Sequence, residues 1–271
     1  MAHQDDWEFT TAGLWAKLRK VGLDFEGLVV TSTDGRSGHQ TDKPEALVAR
    51  RCKEASAAAA VVGCRYEVLR DAEGATFWNG QLVADNRARG AVWKLIRDLQ
   101  PDVIFCPPRT EDPRAGCHND HINTANIVWS IAYQIQVPHA FPQFAYNDEA
   151  RKCPLIIAAY DGYLQGRGYD IAVDIGDVFE KKVSTVDCHR SQVYEWLPWI
   201  GGYTASQNRG DVAKSLRQRH LDQNKRLAVK SKHPHEFFYL TSWGRSATRQ
   251  DVKTFFPNAR LAQHTRKMIT K

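Results

Sequence analysis

The sequence predicts an α/β protein with a doubly wound, mostly parallel, Rossmann-like sheet and helices on both faces. Three observations predict it. Short apolar runs alternate along the chain with longer segments of helical periodicity. Several of those runs, such as V-I-F-C at 103–106 and L-I-I-A-A at 155–159, are continuous rather than alternating, as in strands covered on both faces. Strands separated by helices imply crossover connections and therefore a layered sheet.

In chain order, L-V-V-T-S-T at 28–33 reads as a buried strand. Residues 44–62 read as a helix, because Pro44 presets its first turn and an alanine-rich face permits close packing. Residues 66–69 form the next strand. A helix over 85–99 places Val92, Leu95, Ile96 and Leu99 on one side and stops ahead of Pro101. The run at 103–106 is the central-strand candidate, followed by Pro107, Pro108 and a polar loop to Gly116. A helix starts near Asn119 and carries Ile127, Ile131 and Ile135 up to Pro138. Residues 154–160 and 171–173 read as strands, 177–196 and 211–229 as helices, and 237–240 as a last extended piece. The stretch 199–210 reads as a surface loop bordering a site. The chain 1–271 is thus one domain with a C-terminal elaboration from about residue 195.

Composition narrows the function classes. A chain of 271 residues with 42% hydrophobic and 25% charged residues is globular, not fibrous or disordered. No apolar run approaches the roughly 18 residues of a membrane span, and the first residues carry acids rather than an apolar leader. A cytoplasmic protein without a membrane partner is expected. Six scattered cysteines, none in a C-x-x-C pair, read as reduced core thiols. The net charge of +6 concentrates in 214–232, where Leu216, Leu221 and Leu227 at helical spacing leave the charges facing water. No nucleic-acid-binding motif accompanies it, so a nucleic-acid partner is not expected. The oligomeric state stays open, a homo-oligomer included.

Chemistry concentrates in two clusters, A-H-Q-D-D-W at 2–7 and H-N-D-H at 118–121. His3, Asp6 and His121 together offer two imidazoles and a carboxylate, the donor set of a catalytic zinc centre that leaves a fourth position open. Iron, manganese or cobalt suit the same donors. His3 and Asp6 are three residues apart, as are His118 and His121, so each pair falls on one face at a helix start. Asp5 lies between two ligand candidates, placed to take a proton from water. Each cluster alone also fits ordinary surface or capping chemistry, with Asp6 and Asp120 as caps. Cys117 beside His118 offers a nucleophile–base pair as an alternative.

The two clusters in this order resemble the signatures of the zinc-dependent PIG-L/LmbE-like N-deacetylases. A-H-Q-D-D at 2–6 is similar to A-H-P-D-D, and H-N-D-H-I-N-T-A at 118–125 to H-P-D-H followed by a helix. L-V-V-T-S-T-D-G at 28–35, Arg51 and Glu54 in an R-x-x-E helix, and H-R-S-Q at 189–192 extend the likeness to about residue 240.

The resemblance implies a metal-dependent hydrolase that removes an N-acetyl group from an N-acetylglucosamine-type sugar or glycoconjugate. His3, Asp6 and His121 would hold zinc, and Asp5 would be the general base. His118 would stabilise the oxyanion or protonate the leaving amine, with Asp120 orienting it. Arg51 and His189 would contact substrate, with Gln192 near them. Arg109 and Arg114, in the loop ahead of His118, would reach an acidic or hydroxylated substrate, solvation being the ordinary alternative. Trp196, Trp199 and Tyr203 offer a sugar-stacking wall or buried packing.

The sequence departs from the family pattern in three places. Gln4 stands where the signature has proline, and Trp7 where an acidic residue is usual. Only Met1 and Ala2 precede His3, so a central first strand is expected to be missing upstream of residue 1, as in a truncated chain. These departures keep a second reading in play, a sugar-binding or structural relative without turnover.

Overall fold

The computed structural model describes residues 1–109, 112, 115–145, 149, 151–162 and 168–269. Two short helices that the periodicity does not announce open the chain, α1 (Asp6–Thr10) and α2 (Ala12–Lys20). Then follow β1 (Leu28–Thr31), α3 (Pro44–Val61), β2 (Arg65–Val68), α4 (Asn86–Leu99), β3 (Val103–Cys106) and α5 (Asn119–Ile131). The second half holds β4 (Leu155–Ala159), β5 (Ile171–Asp174), α6 (Phe179–Asp187), a π-helical turn at Ser191–Trp196, α7 (Leu197–Gly201) and α8 (Arg209–Arg226). It ends with β6 (His235–Leu240), α9 (Arg249–Phe255), β7 (Arg260–Leu261) and α10 (Thr265–Met268). No helix among the described residues is long and apolar enough to cross a membrane.

The α/β class holds, but the expected mostly parallel sheet does not. β1 and β2 pair in parallel, and so do β3 and β4. Beyond β4 the order is β3-β4-β6-β5-β7, and β6 runs antiparallel to both β4 and β5, as β7 does to β5. β6 enters between its two neighbours after α6 and α8 have covered one face, so the second half is mixed. A continuous apolar run reads the same for either strand direction, which is why the sequence does not reveal this. The expected helix over 177–196 is also interrupted: α6 stops at Asp187 and the chain resumes as a π-helical turn.

β4 is buried along its whole length, and its alternate residues feed two cores. Leu155, Ile157 and Ala159 pack with Leu14, Val183 and Leu216 from α2, α6 and α8. Ile156 faces the other way, onto Trp93 and Ile96 of α4 and Ile127 and Ile131 of α5. Helices thus cover both faces of the sheet around β4.

β1–β2 and the five-stranded sheet are separate ladders. Between β1 and β3 lies a cavity of about 570 Å³ lined by Trp15, Leu28, Val30, Val103, Ile104 and Val128. Met1 lines it as well. The Met1 amino group donates to Val30 O at 2.8 Å and Ser32 N donates to Met1 O at 2.8 Å, a parallel-strand pattern, while Thr33 N donates to Ala2 O at 3.1 Å. This pairing fixes where His3 leaves the sheet.

A second anchor acts from β6. The buried Glu236 carboxylate accepts from Gly13 N at 2.8 Å and Leu14 N at 2.7 Å, satisfying free amides at the start of α2, and pairs with the buried Lys182 ammonium. An anion belongs at a helix N-terminus, and its burial raises what it costs to remove. Glu236→Ala is expected to destabilise the fold by about 3–5 kcal/mol by leaving the Lys182 charge without its counter-ion and two amides unpaired. Urea unfolding checks this; a loss below about 1 kcal/mol would show that the anchor is dispensable.

Candidate metal centre

His3 and Asp6 come together because the chain turns into α1 directly after Ala2. Asp6 Oδ2 accepts from Ala2 N at 3.0 Å and His3 N at 2.8 Å, closing that turn. His118 caps α5 from extended backbone, its Nδ1 accepting from Asp120 N at 3.2 Å, and His121 follows in the first turn. α5 starts beyond the carboxyl end of β3, where open α/β sheets place their ligands.

The two starts meet. His3 Nδ1 lies 3.2 Å from His121 Nε2, and His121 Nε2 lies 3.2 Å from Asp6 Oδ1. One donor atom from each of the three residues falls within 4.8 Å of the others. With their outer nitrogens turned to Asp120 and Asp161, two neutral imidazoles have no proton left for the facing pair His3 Nδ1 and His121 Nε2 beside Asp6. A divalent cation satisfies all three at once, so these residues fit the metal that the donor types imply.

The remaining ring nitrogens support this. His3 Nε2 lies 3.0 Å from Asp120 Oδ2, and His121 Nδ1 lies 3.0 Å from Asp161 Oδ2. Each ring turns one nitrogen to the cluster and the other to a carboxylate, the arrangement that fixes tautomer and ring orientation in metal-binding histidines. Burial disfavours the His121 imidazolium, yet the charge of Asp6 and the bond to Asp161 outweigh it and push its pKa up to about 11. Burial likewise works against the Asp6 carboxylate, but the His121 charge holds its pKa well below the ordinary range. Carboxylates on both sides of the two rings make the pocket electrostatically favourable for a cation.

A second grouping, His3, His118 and Asp120, is also close enough to ligate. Its atoms are already engaged. Asp120 Oδ2 accepts from Asn79 Nδ2 at 3.0 Å and Gly80 N at 2.7 Å, and His118 Nδ1 accepts a backbone amide. The first grouping is the metal candidate.

The other expected site residues divide. Asp5 lines a cavity of about 510 Å³ with His3, Asp6, His118, His121 and Asp161. Its Oδ1 accepts from Arg51 Nη2 at 3.1 Å. Arg51 is buried rather than solvated, and it also lines the cavity. Gly35 makes room for it: its φ is +74°, and a Cβ there would lie 2.9 Å from Arg51 Nη1 and 2.3 Å from Gln4 Oε1. His118 is half exposed at the cavity wall, its ring edge-on to His3 at 4.7 Å. Burial and the neighbouring His3 hold its pKa below the ordinary histidine value. Its Nδ1 accepts a hydrogen bond, so the neutral ring carries its proton on Nε2.

Two expectations change. The Asp120 carboxylate does not orient His118, from which Oδ2 is 3.8 Å away, and only its backbone amide reaches that ring; the carboxylate turns inward to His3 and the loop at 79–82. His189 does not line the cavity: it is fully buried, with Nε2 2.8 Å from Glu8 Oε1, so it supports α1 from behind. Gln192 is the member of that motif that lines the cavity, held by Gly38 O at 2.9 Å. Arg114 lies outside the described residues, and Arg109 stacks on Trp129 at 3.9 Å while bonding Asn126. Trp7, at the usually acidic position, is buried against Trp15.

Sequence reasoning missed Asp161 and Asn79. Asp161 stands just past the carboxyl end of β4, and an acid in that position after an apolar run is the signal that marks it. Asp161→Ala is expected to weaken zinc affinity by about 10–100-fold with the fold intact. Competition against a chromogenic chelator measures this; unchanged affinity would make the His121–Asp161 contact incidental.

Comparison with known proteins bears on the whole arrangement. Among solved structures, N,N'-diacetylchitobiose deacetylase from Pyrococcus horikoshii, complexed with its inhibitor, is similar with a TM-score of 0.65 and 23% identity over 89% of this chain and 81% of that one. The 4-carboxy-2-hydroxymuconate hydratase of Pseudomonas putida is similar with a TM-score of 0.61 and 16% identity, over 88% and 92% of the two chains. A deacetylase involved in the teicoplanin biosynthetic pathway follows with 0.55 and 14%, over 89% and 96%. At these identities the likeness is one of fold. Comparison with curated protein sequences gives no match. The family model "PIG-L: GlcNAc-PI de-N-acetylase" matches residues 1–132. A PIG-L family domain therefore covers residues 1–132, the segment that contributes His3, Asp5, Asp6, Arg51, His118, Asp120 and His121.

Proposed function

We propose that this chain is a metal-dependent N-deacetylase acting on an N-acetylglucosamine-type sugar or glycoconjugate. One observation carries the reading: three converging donor atoms of His3, Asp6 and His121 share a cavity with Asp5, inside a PIG-L family domain. A hydratase shares the fold, so the reaction is assigned from the site rather than from the architecture.

His3, Asp6 and His121 would hold the cation, zinc first by donor type, with iron, manganese or cobalt as alternatives. When bound, a divalent cation supplies Lewis-acid activation of water and of the amide carbonyl. Asp5 takes the proton of the attacking water as the new C–O bond forms. Arg51, donating from Nη2 to Asp5 Oδ1 and from Nη1 to Gly35 O, fixes that carboxylate at the cavity wall. His118 donates its Nε2 proton towards the carbonyl oxygen as charge builds there. The C–N bond then breaks, the water's proton passes from Asp5 to the departing amine, and acetate and the free amino sugar leave. Asp120 and Asp161 keep His3 and His121 in place throughout.

An acetate-release assay over N-acetylated sugars and glycosides, with zinc-loaded protein, tests the reading. Exhaustive chelation is expected to abolish release and zinc to restore it; release that survives chelation would remove the metal from the account. Asp5→Asn is expected to lower kcat by about 10²–10⁴-fold while zinc still binds stoichiometrically. Full activity in that variant would refute the base assignment.

A further inference from the structure

Among the described residues β2 pairs with β1 alone, in parallel. Arg65 N donates to Gly27 O and Leu69 N to Thr31 O, both at 2.9 Å. The odd-numbered residues of β2 therefore turn their backbone groups to β1. Tyr66 and Val68 turn theirs the other way, where no partner meets them among the described residues. A strand edge of this kind is a template for another strand.

The side chains along the edge decide which strand it accepts. Arg65 and Glu67 lie two residues apart on one face of β2, their side chains 66% and 52% exposed and 3.6 Å from each other. Charges at an edge turn away an arbitrary apolar strand. They accept a strand that brings the opposite charges in the opposite order, and under a two-fold axis β2 itself is that strand.

Charge also selects the register. Antiparallel pairing sets outward-facing residues opposite each other, so the two-fold axis passes through Tyr66, Glu67 or Val68. Through Tyr66, each Arg65 stands opposite the partner's Glu67. Through Glu67, two carboxylates meet, which is unfavourable. Through Val68, Glu67 stands opposite the partner's Leu69, an apolar residue.

The flanks of the edge suit close approach. Cys52 and Ser56 of α3 and Lys94 and Asp98 of α4 line a groove of about 780 Å³ with Tyr66 and Glu67. Ser56 and, one turn on, Ala60 are exposed on α3, with Ala57 beside them. Such small side chains let helices lie near each other. Lys94 and Asp98, a turn apart and paired, carry the same alternation of sign on α4.

We propose that β2 is a self-association edge. A second copy of this chain adds its own β2 antiparallel about a two-fold axis at Tyr66, and the two β1–β2 pairs become one four-stranded sheet. Two Arg65–Glu67 pairs, one on each side of the axis, fix the partner and the register. The inference is independent of the metal and of the reaction.

Sedimentation velocity of the full chain tests it, over about 1–500 µM protein. Wild type is expected to pass from monomer to dimer as concentration rises. Glu67→Arg, which faces arginine with arginine at both pairs, is expected to raise the midpoint concentration by on the order of tenfold or more. The double variant Arg65→Glu/Glu67→Arg restores opposite charges in exchanged positions, and its midpoint is expected to return to that of wild type. A fold damaged by the first substitution would not be rescued by the second, so the pair of variants separates contact from stability. Wild type that stays monomeric throughout, an assembly unmoved by Glu67→Arg, or a double variant no better than the single one would each overturn the proposal.

Discussion

Carboxylates crowd two imidazoles at one buried point, and the rest of the site follows from how that charge is balanced. Asp6, Asp120 and Asp161 each lie within 3.2 Å of a nitrogen of His3 or His121. Burying uncompensated charge of this kind costs several kcal/mol per ion. Backbone and side-chain donors meet Asp120 fully, through Asn79, Gly80 and Leu82. Among the described residues nothing comparable serves the inner edge, where Asp6 Oδ1, His3 Nδ1 and His121 Nε2 face one another. A cation at that edge converts the most expensive part of the interior into a binding site.

The scaffold exists to hold that edge. Met1 and Ala2 pair with the end of β1, which aims His3 across the sheet, and the start of α5 brings His121 to meet it. Glu236 pins the start of α2 from β6, so the helix pair that carries Asp5 and Asp6 is braced from the antiparallel half of the sheet. Glu8 and His189 brace α1 from behind. The mixed second half of the sheet is therefore not a departure without consequence: β6 delivers the brace, and α7 and α8, which precede it, close the cavity.

Much of this was legible in the sequence, for identifiable reasons. Ligand candidates were legible because two short clusters at i, i+3 spacing dictate convergence at helix starts. Strand β4 was legible because a fully buried strand is a continuous apolar run, whereas β3, expected to be central from the same signal, is the edge of its ladder and only partly buried. Strand direction was not, since apolar content does not encode it, and the sheet is mixed where parallel order was expected. α1 and α2 escaped because α1 is barely a turn, while α2 is buried through Gly13, Leu14, Ala16, Lys17 and Leu18 and so shows no clean polar face. Sequence proximity pairs Asp120 with His118, whereas tertiary folding gives its carboxylate to His3. Asp161 was overlooked because its partner lies 40 residues away, a pairing that no local pattern displays.

The central claim is that His3, Asp6 and His121 form one metal site, with Asp120 and Asp161 holding its histidines. Anomalous scattering from a crystal of the zinc-loaded protein tests it most directly. The account predicts a single strong peak about 2.0–2.2 Å from His3 Nδ1, Asp6 Oδ1 and His121 Nε2. A peak between His3 Nε2, His118 and Asp120 instead, or none at any of these residues, would contradict it.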